Sequence, residues 1–182
     1  MAACLITTGI AAPSCDTKFS IPGIRRKVLV TNFDDISSFS ETVSGEIDGI
    51  TFKSLKGFFE LFYKDETGNA QSELTTDAPS GLYFTQTANL RVVEKSTATR
   101  NSIEDMADVP LLVLVEESDG QWKVLGESRG VKLSKSIYQT GTVPGDENGW
   151  LLTFTGINLG EVKRFFKTSN AVTNSTLVGL TL

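Results

Sequence analysis

The strongest hydrophobic pattern in the chain is the apolar run Leu111–Val115. Alternate residues of a strand point to opposite faces, so a continuous apolar run makes both faces apolar. The run therefore predicts a central strand that is covered on both sides. A later segment alternates instead, with Trp150, Leu152 and Phe154 on one face and Thr153 on the other. This second pattern predicts a strand with only one face toward the core.

A turn signal separates the central run from a second β-rich stretch, Gln121–Gly126. The turn contains the pair Asp119-Gly120, and an Asp-Gly pair between two such stretches predicts a hairpin with a type I′ turn. A two-residue turn at this pair places Glu116 opposite Lys123, and an opposite-charge pair across a ladder is favourable. We therefore predict an antiparallel hairpin with that register.

Further strands are predicted where β-branched and aromatic residues cluster. The predicted segments are Lys27–Phe33, a hairpin over Val43–Lys53 with Asp48-Gly49 in its turn, Leu55–Lys64, Leu82–Glu94 and Thr176–Leu182. Leu55–Lys64 also fits a helical spacing, but Gly57 and four aromatic residues favour a strand. Leu82–Glu94 is longer than the usual strand of about 5–6 residues. It should therefore extend beyond a compact sandwich or bend partway.

Two short helices complete the predicted elements. One covers Asn101–Ala107 and ends before Val109-Pro110, because the residue before a proline disfavours helix. The other runs from Asn158 to about Lys167, where Asn158 and Glu161 resemble a capping pair. Its apolar stripe consists of Leu159, Val162, Phe165 and Phe166, although Gly160 weakens the helix.

These elements predict a mainly β fold, either an antiparallel β-sandwich or a small β-barrel, with one or two short flanking helices. A chain of 182 residues is expected to form one domain with a sizeable core. We assign residues 24–182 to this domain and residues 1–23 to an irregular arm with Pro13 and Pro22. Such an arm either crosses onto a neighbouring subunit or is a frayed terminus.

Composition narrows the functional classes. The net charge of −5 argues against a surface that grips nucleic acid, and no apolar run is long enough to span a bilayer. The N-terminus lacks a secretory signal, which favours synthesis in the cytosol. The chain has no histidine, so Ser-His-Asp and Cys-His catalysis are excluded and an enzyme is disfavoured. Cys4 and Cys15 favour two reduced thiols, with a single disulfide as the alternative.

Residues that could carry chemistry have simpler interpretations. Trp122 and Trp150 could stack on a sugar, but tryptophans on alternating strands are more often core residues. Asp146 begins an Asp-Glu-Asn-Gly sequence that suits a turn better than a calcium site. The acidic residues of the first half have no ligand spacing and indicate a solvated acidic face. No cofactor or metal site is predicted.

Several motifs in residues 111–156 resemble a family of virion proteins of tailed bacteriophages of the Bacteroidetes type, taken to be tail tube proteins. The resemblance rests on Leu112–Val115, Asp119-Gly120, Trp122, Leu125-Gly126, Gly130, Thr140-Gly141-Thr142, Gly145-Asp146, Asn148-Gly149-Trp150 and Leu152-Thr153-Phe154-Thr155-Gly156. Towards the front, the cysteine-bearing arm, Gly23-Ile24, Asn32–Ile36 and Gly81–Gln86 are also similar. The basic Arg25-Arg26-Lys27 departs from the family pattern.

The resemblance implies a structural subunit that assembles with itself into stacked rings, usually hexameric, around a DNA conduit. The partners would be further copies, other virion proteins and genomic DNA that passes without specific binding, with no membrane. The protein would be made in the host cytoplasm and reside in the virion. Capsid decoration, head-fibre or neck-ring proteins are the alternative within virions, and a carbohydrate-binding module is a more remote one.

Candidate sites follow from this assembly. Residues that could lie at a subunit interface are Leu5, Ile6, Ile10, Arg25, Arg26, Ile50 and Phe52. Glu46 and Asp48 are the candidates for acidic groups that face the lumen. An acidic lumen would repel phosphate, so DNA could slide without sticking.

Overall fold

The structure is a computed structural model that describes residues 23–43, 46–53, 56–64, 67–77, 81–118, 120–143, 146, 148–161 and 163–165. Within these ranges the chain is mainly β, as predicted. The elements are β1 (Ile24–Asn32), β2 (Ile36–Val43), β3 (Glu46–Phe52), β4 (Phe59–Phe62), β5 (Asn69–Asp77), β6 (Gly81–Val92), α1 (Thr97–Met106), β7 (Leu111–Glu117), β8 (Trp122–Leu125), β9 (Lys132–Gln139), β10 (Gly149–Asn158) and β11 (Lys163–Phe165).

The strands form two sheets that pack face to face, consistent with the predicted β-sandwich. The first sheet has seven strands in the order β2-β3-β11-β8-β7-β1-β4. The second sheet has four strands in the order β5-β6-β10-β9. Neighbouring strands are antiparallel except β11 and β3, which are parallel.

The connection between β1 and β2 requires the first sheet to curl. Only the short 3-10 turn Phe33–Asp35 joins these strands, yet β2 forms one edge of the sheet and β1 lies next to the other. Three residues cannot cross five strand spacings of about 4.8 Å each. The sheet therefore bends back on itself, and its β2–β3 end covers the inner face of its own central strands.

Strand β7 lies at the centre of this arrangement and is buried on both faces, which confirms the prediction for Leu111–Val115. Leu111, Val113 and Val115 belong to the main cluster, which lies between the two sheets. Leu112 and Leu114 belong to a second cluster inside the curl of the first sheet. One apolar strand thus contributes to both cores.

The β7–β8 hairpin forms as predicted, but its register is shifted by one residue. Glu116 pairs with Trp122 and Val115 with Lys123, so Glu116 does not face Lys123. The N–H of Glu117 donates to the carbonyl of Gln121, so these two residues close the loop. The loop therefore contains three residues, 118–120, and not the two that we expected. Gly120 adopts a φ of 86° in this loop, a left-handed conformation that glycine adopts without strain.

The predicted turn at Asp48-Gly49 is wrong. Both residues lie inside β3, and Gly49 pairs with Ser40 of β2. Strand β2 ends at Val43 and β3 begins at Glu46, so the connection falls four residues before the predicted turn. A turn-forming pair was here overruled by the β-branched residues around it, which favour an extended strand.

The predicted helix over Asn158–Lys167 is also wrong within the described residues. Asn158 ends β10, and Lys163–Phe165 form the short strand β11 between β8 and β3. Strand pairing on both sides therefore outweighs the helical spacing of the apolar residues. The predicted strand Thr176–Leu182 lies outside the described residues.

The remaining predicted elements are confirmed with changed ends. The predicted strand Lys27–Phe33 lies in β1 up to Asn32, Leu82–Glu94 matches β6, and Leu55–Lys64 shortens to β4. The first helix begins at Thr97, because the hydroxyl of Ser96 caps it by accepting from the N–H of Thr99 at 3.2 Å. Strands β5 and β9 were not predicted from the sequence, nor was β2 apart from its last residue, Val43.

The buried face of β10 allows a test of the core. Leu152 is fully buried between the sheets, whereas Leu159, just after β10, is 67% exposed. We expect Leu152→Ala to lower the free energy of unfolding by about 2–5 kcal/mol, because it removes buried methyl groups and leaves a cavity. The matched change Leu159→Ala should cost less than about 1 kcal/mol. Equal effects in urea denaturation would contradict this account of the core.

Candidate assembly surface

Strand β6 is twelve residues long, and only its second half belongs to the core. The core begins at Gln86, a fully buried residue whose side-chain Oε1 accepts the N–H of Gly126 at 2.8 Å. Residues before Gln86 continue the β5–β6 pairing beyond this point. We call residues 72–77 and 81–85 the distal hairpin. The first half of this strand therefore lies outside the buried core, as expected of a strand that extends beyond a compact sandwich or bends partway.

The distal hairpin carries apolar side chains on the face that turns toward the core. Leu82 and Phe84 share a face with the buried Ala88, because side chains alternate along a strand. Leu74 lies directly opposite Phe84 on β5. Leu74 is 50% exposed and Leu82 is 59% exposed. The core-facing side of the sheet therefore continues past the part that the first sheet covers.

The opposite face of the same region is also partly apolar. Ile157 of β10 lies opposite Thr85 and is 50% exposed. Leu159 follows β10 and is still more exposed. Apolar groups on both faces of this end of the second sheet suit contact with a second molecule better than contact with water alone.

The distal hairpin lies at one end of the first sheet. Gln86 bonds to Gly126, which follows the C-terminal end of β8, while the carbonyl of Arg91 accepts the N–H of Lys64 after β4. Strands β8 and β4 run in opposite directions, so these two contacts lie at opposite ends of the sheet. Strand β6 thus crosses the sheet obliquely, and the distal hairpin extends past the end at Gly126.

The first and last described strands, β1 and β11, have their outer ends at the opposite end of the first sheet. Ile24 pairs with Glu117, and Phe165 pairs with Trp122, which itself pairs with Glu116. Three strand spacings separate Ile24 from Phe165, a distance of about 14 Å. The segments 1–22 and 166–182 are therefore attached at the end of the first sheet that is opposite the distal hairpin.

The residues that the sequence predicted at a subunit interface are not part of the distal hairpin. Leu5, Ile6 and Ile10 are outside the described residues. The backbones of Arg25 and Arg26 lie in β1, where the register with β7 shifts.

Two further interface candidates lie on β3. Ile50 and Phe52 are half-buried against the second cluster, and the ring of Phe52 meets that of Phe58 edge-on at 5.0 Å. Their side chains are therefore partly used by the fold itself.

The two lumen candidates are also on β3. Glu46 is its first residue, half-buried, and Asp48 lies two residues further along the strand. The structure does not bring either residue together with the distal hairpin, so the assignment of a lumen-facing role stays a prediction.

The tryptophans lie against the cores, as the simpler interpretation predicted. Trp122 is only 8% exposed and belongs to the second cluster. Trp150 is half-buried against the main cluster and lies 4.8 Å from the ring of Tyr138. A sugar would need an open aromatic face, and Trp122 offers none.

The carboxylate of Asp146 stabilises a turn, as expected. It accepts the N–H groups of Thr142 and Val143 at 2.7 and 2.9 Å. The hydrogen bonds from Val143 and then Thr142 hold the pKa of Asp146 below its usual value. In the described part of the chain, no three acidic or cysteine side chains come together as a metal site.

The distal hairpin was missed because its sequence signal is weak. Strand β5 is polar apart from Leu74 and Ala70, and its hydroxyls pair across the ladder, with Thr75 3.5 Å from Thr85. The only sequence feature that pointed to it was the unusual length of the predicted strand Leu82–Glu94, which corresponds to β6. Nothing in the sequence showed that Leu74 would face the same side as Leu82.

Comparison with known proteins gave no match to any protein-family model, curated protein or solved structure. In the described residues, no helix is long and apolar enough to cross a membrane.

The Asp146 turn gives a pH-dependent prediction. Because the folded-state pKa is lowered, the carboxylate stabilises the turn above the unfolded value of about 3.9. That stabilisation should be lost as the pH falls through the lower folded-state pKa. The amide proton shifts of Thr142 and Val143 should therefore move together with the titration of Asp146 in NMR spectra. This pH-dependent change of the amide shifts should be absent in Asp146→Asn. Amide shifts that stay constant while Asp146 titrates would contradict the hydrogen bonds of the turn.

Proposed function

We propose that this protein is a structural subunit of a bacteriophage virion that assembles into the tail tube. The subunits form stacked, hexameric rings around a conduit through which DNA passes without specific binding. The observation that carries the proposal is the group of exposed apolar side chains at the end of the molecule that holds the distal hairpin. Leu74 and Leu82 of the hairpin lie on one face of the second sheet, and Ile157 of the neighbouring β10 lies on the other. The motifs shared with the virion protein family supply the biological setting.

This end of the second sheet supports assembly because of the apolar side chains that the distal hairpin and the end of β10 leave exposed. Leu74, Leu82, Ile157 and Leu159 are each at least half exposed and all lie at one end of the molecule. Contiguous exposed apolar patches on soluble proteins mark sites of protein interaction. A second copy that covers these side chains would gain about 25 cal/mol for each Å² of apolar surface removed from water.

The position of the hairpin supports stacking in one direction. It extends past one end of the first sheet, while the segments 1–22 and 166–182 are attached at the other end. Contact between unlike ends of two copies is heterologous and can repeat without limit. Such repetition is what a tube made of stacked rings needs.

Lateral contacts have candidates in the second sheet. Among the described residues, β5 and β9 are its edges, so both present unpaired backbone groups. Strand edges can pair with a neighbouring subunit by β-augmentation. In the proposed ring, Glu46 and Asp48 would face the lumen and repel the phosphates of DNA.

The assembly can be tested by negative-stain electron microscopy with mass photometry as the concentration of the purified protein rises. Rings or tubes with an axial hole wide enough for duplex DNA are the expected result. A persistent monomer, or a solid multimer without a hole, would overturn the tube and favour a decoration or fibre protein.

A charge on the distal hairpin should block this assembly. We expect Leu82→Lys to raise the concentration at which multimers appear by at least tenfold, because burying an unpaired ammonium group is costly. Val143→Lys is the matched control, since Val143 is 61% exposed but lies in the loop before Asp146. Mass photometry of both variants makes the comparison. If Leu82→Lys assembles at the same concentration as the wild-type protein, the distal hairpin is not part of the interface.

A further inference from the structure

The start of β10 contains the only Asn-Gly pair of the chain. Asn148 is exposed, and Gly149 is the first residue of the strand. The side-chain amide of an asparagine can cyclise onto the backbone nitrogen of the next residue, and a glycine hinders this attack least because it has no Cβ. The pair is therefore a candidate site of covalent change in the backbone.

The fold itself requires a glycine at position 149. Its φ is 107°, in the positive range that strains other residues. A Cβ at this position would also clash with the carbonyl oxygen of Val92 on β6. Gly149 pairs with Gln139 at the very end of the β9–β10 ladder, where strands open most readily. A structural demand on β10 thus keeps a reactive glycine next to Asn148.

A buried arginine contacts the same peptide group. Arg91 of β6 is only 4% exposed, and its Nε donates to the main-chain carbonyl of Asn148 at 3.1 Å. A guanidinium is always charged, and its hydrogen bonds are stronger than those of neutral donors. This bond draws electron density from the peptide that joins Asn148 to Gly149, so the N–H of Gly149 loses its proton more readily. The deprotonated nitrogen is the nucleophile that cyclisation needs.

We propose that Asn148 deamidates in the folded protein, with water as the only co-reactant, and that isoaspartate is the main product. The nitrogen of Gly149 gives up its proton to the solvent and forms a bond to Cγ of Asn148. The bond between Cγ and Nδ2 then breaks, and the side-chain nitrogen leaves as ammonia. The ring that remains is a succinimide, which contains both carbonyl groups of the former asparagine.

Arg91 also decides which carbonyl of the ring is attacked by water. Its Nε donates to the main-chain carbonyl oxygen, where it stabilises the negative charge that develops during the attack. Water adds to this carbon, the bond from the carbon to the nitrogen of Gly149 breaks, and the nitrogen takes up a proton. The backbone then runs through Cγ, and the former main-chain carbonyl becomes a carboxylate beside Arg91. Attack at Cγ would instead give ordinary aspartate.

The modification changes both the charge and the backbone at the start of β10. Isoaspartate adds a negative charge, and it lengthens the backbone before Gly149 by a methylene group. The guanidinium of Arg91 pairs with the new carboxylate, whereas Gly149 moves out of register with Gln139. The site does not depend on the proposed function, because its chemistry needs only the contact between β6 and the residue before β10.

Peptide mapping by mass spectrometry tests the site after the full chain has been kept warm at mildly alkaline pH. The peptide that holds Asn148 should gain the mass of an amide-to-carboxyl exchange, and electron-transfer dissociation should identify isoaspartate as the main product. Asn148→Gln keeps an amide but needs a larger ring, so its peptide should stay unmodified. Asn101, exposed in α1 before Ser102, is the internal control and should also stay unmodified. An unmodified Asn148, or aspartate as the main product, would overturn the proposal.

The role of Arg91 is tested by the ratio of isoaspartate to aspartate in folded and urea-unfolded wild-type protein. The ratio should be about tenfold higher in the folded chain, because only there does a charged donor reach the main-chain carbonyl. Folded Arg91→Met should show the lower ratio of the unfolded chain, while Arg91→Lys, which keeps a cationic donor, should retain part of the difference. Equal ratios in folded and unfolded wild-type protein would overturn the proposal, whether or not Arg91→Met folds.

Discussion

The whole fold depends on one strand that is apolar on both faces. Strand β7 needs a cover on each side, and the chain provides two different ones. The second sheet and α1 cover the face of Leu111, Val113 and Val115, and the curl of the first sheet covers Leu112 and Leu114. A flat sheet could not supply the second cover without another layer. The curl of the first sheet is therefore a consequence of the apolar sequence of β7.

The elements that could be predicted are those with strong local patterns. The run in β7 and the alternation in β10 and in the second half of β6 bury side chains in the way that their sequence indicates, and the aromatic segment around β4 forms the predicted strand. The errors have two different sources. At Asp48-Gly49 the turn signal was outweighed by the β-branched residues around it and by pairing with the nearby β2. Phe165 lies in a strand because β8 and β3 flank it, and its partners Trp122 and Ile47 are too far away in the sequence for a local window to contain them.

The candidate site was the hardest part to predict, for a related reason. The sequence predicted interface residues in the arm, at the basic cluster and in the segment around Asp48. The structure instead places exposed apolar groups on two strands and the end of a third, where Leu74, Leu82 and Ile157 come from well-separated positions. Each is unremarkable in its own segment. Only the pairing of β5, β6 and β10 brings them to one end of the molecule.

The parallel pairing of β11 with β3 has a consequence for how the chain acquires its structure. Arg164 lies opposite Glu46, so the strand that joins β3 to β8 is supplied by a distant and late part of the sequence. Hairpins such as β2–β3 and β7–β8 need only local contacts, but contacts between distant residues form slowly. On the ribosome, the curled sheet cannot close until residues 163–165 have emerged. Until then β3 and β8 each keep an open edge, which leaves the growing chain vulnerable to wrong pairing throughout the synthesis of the strands between them.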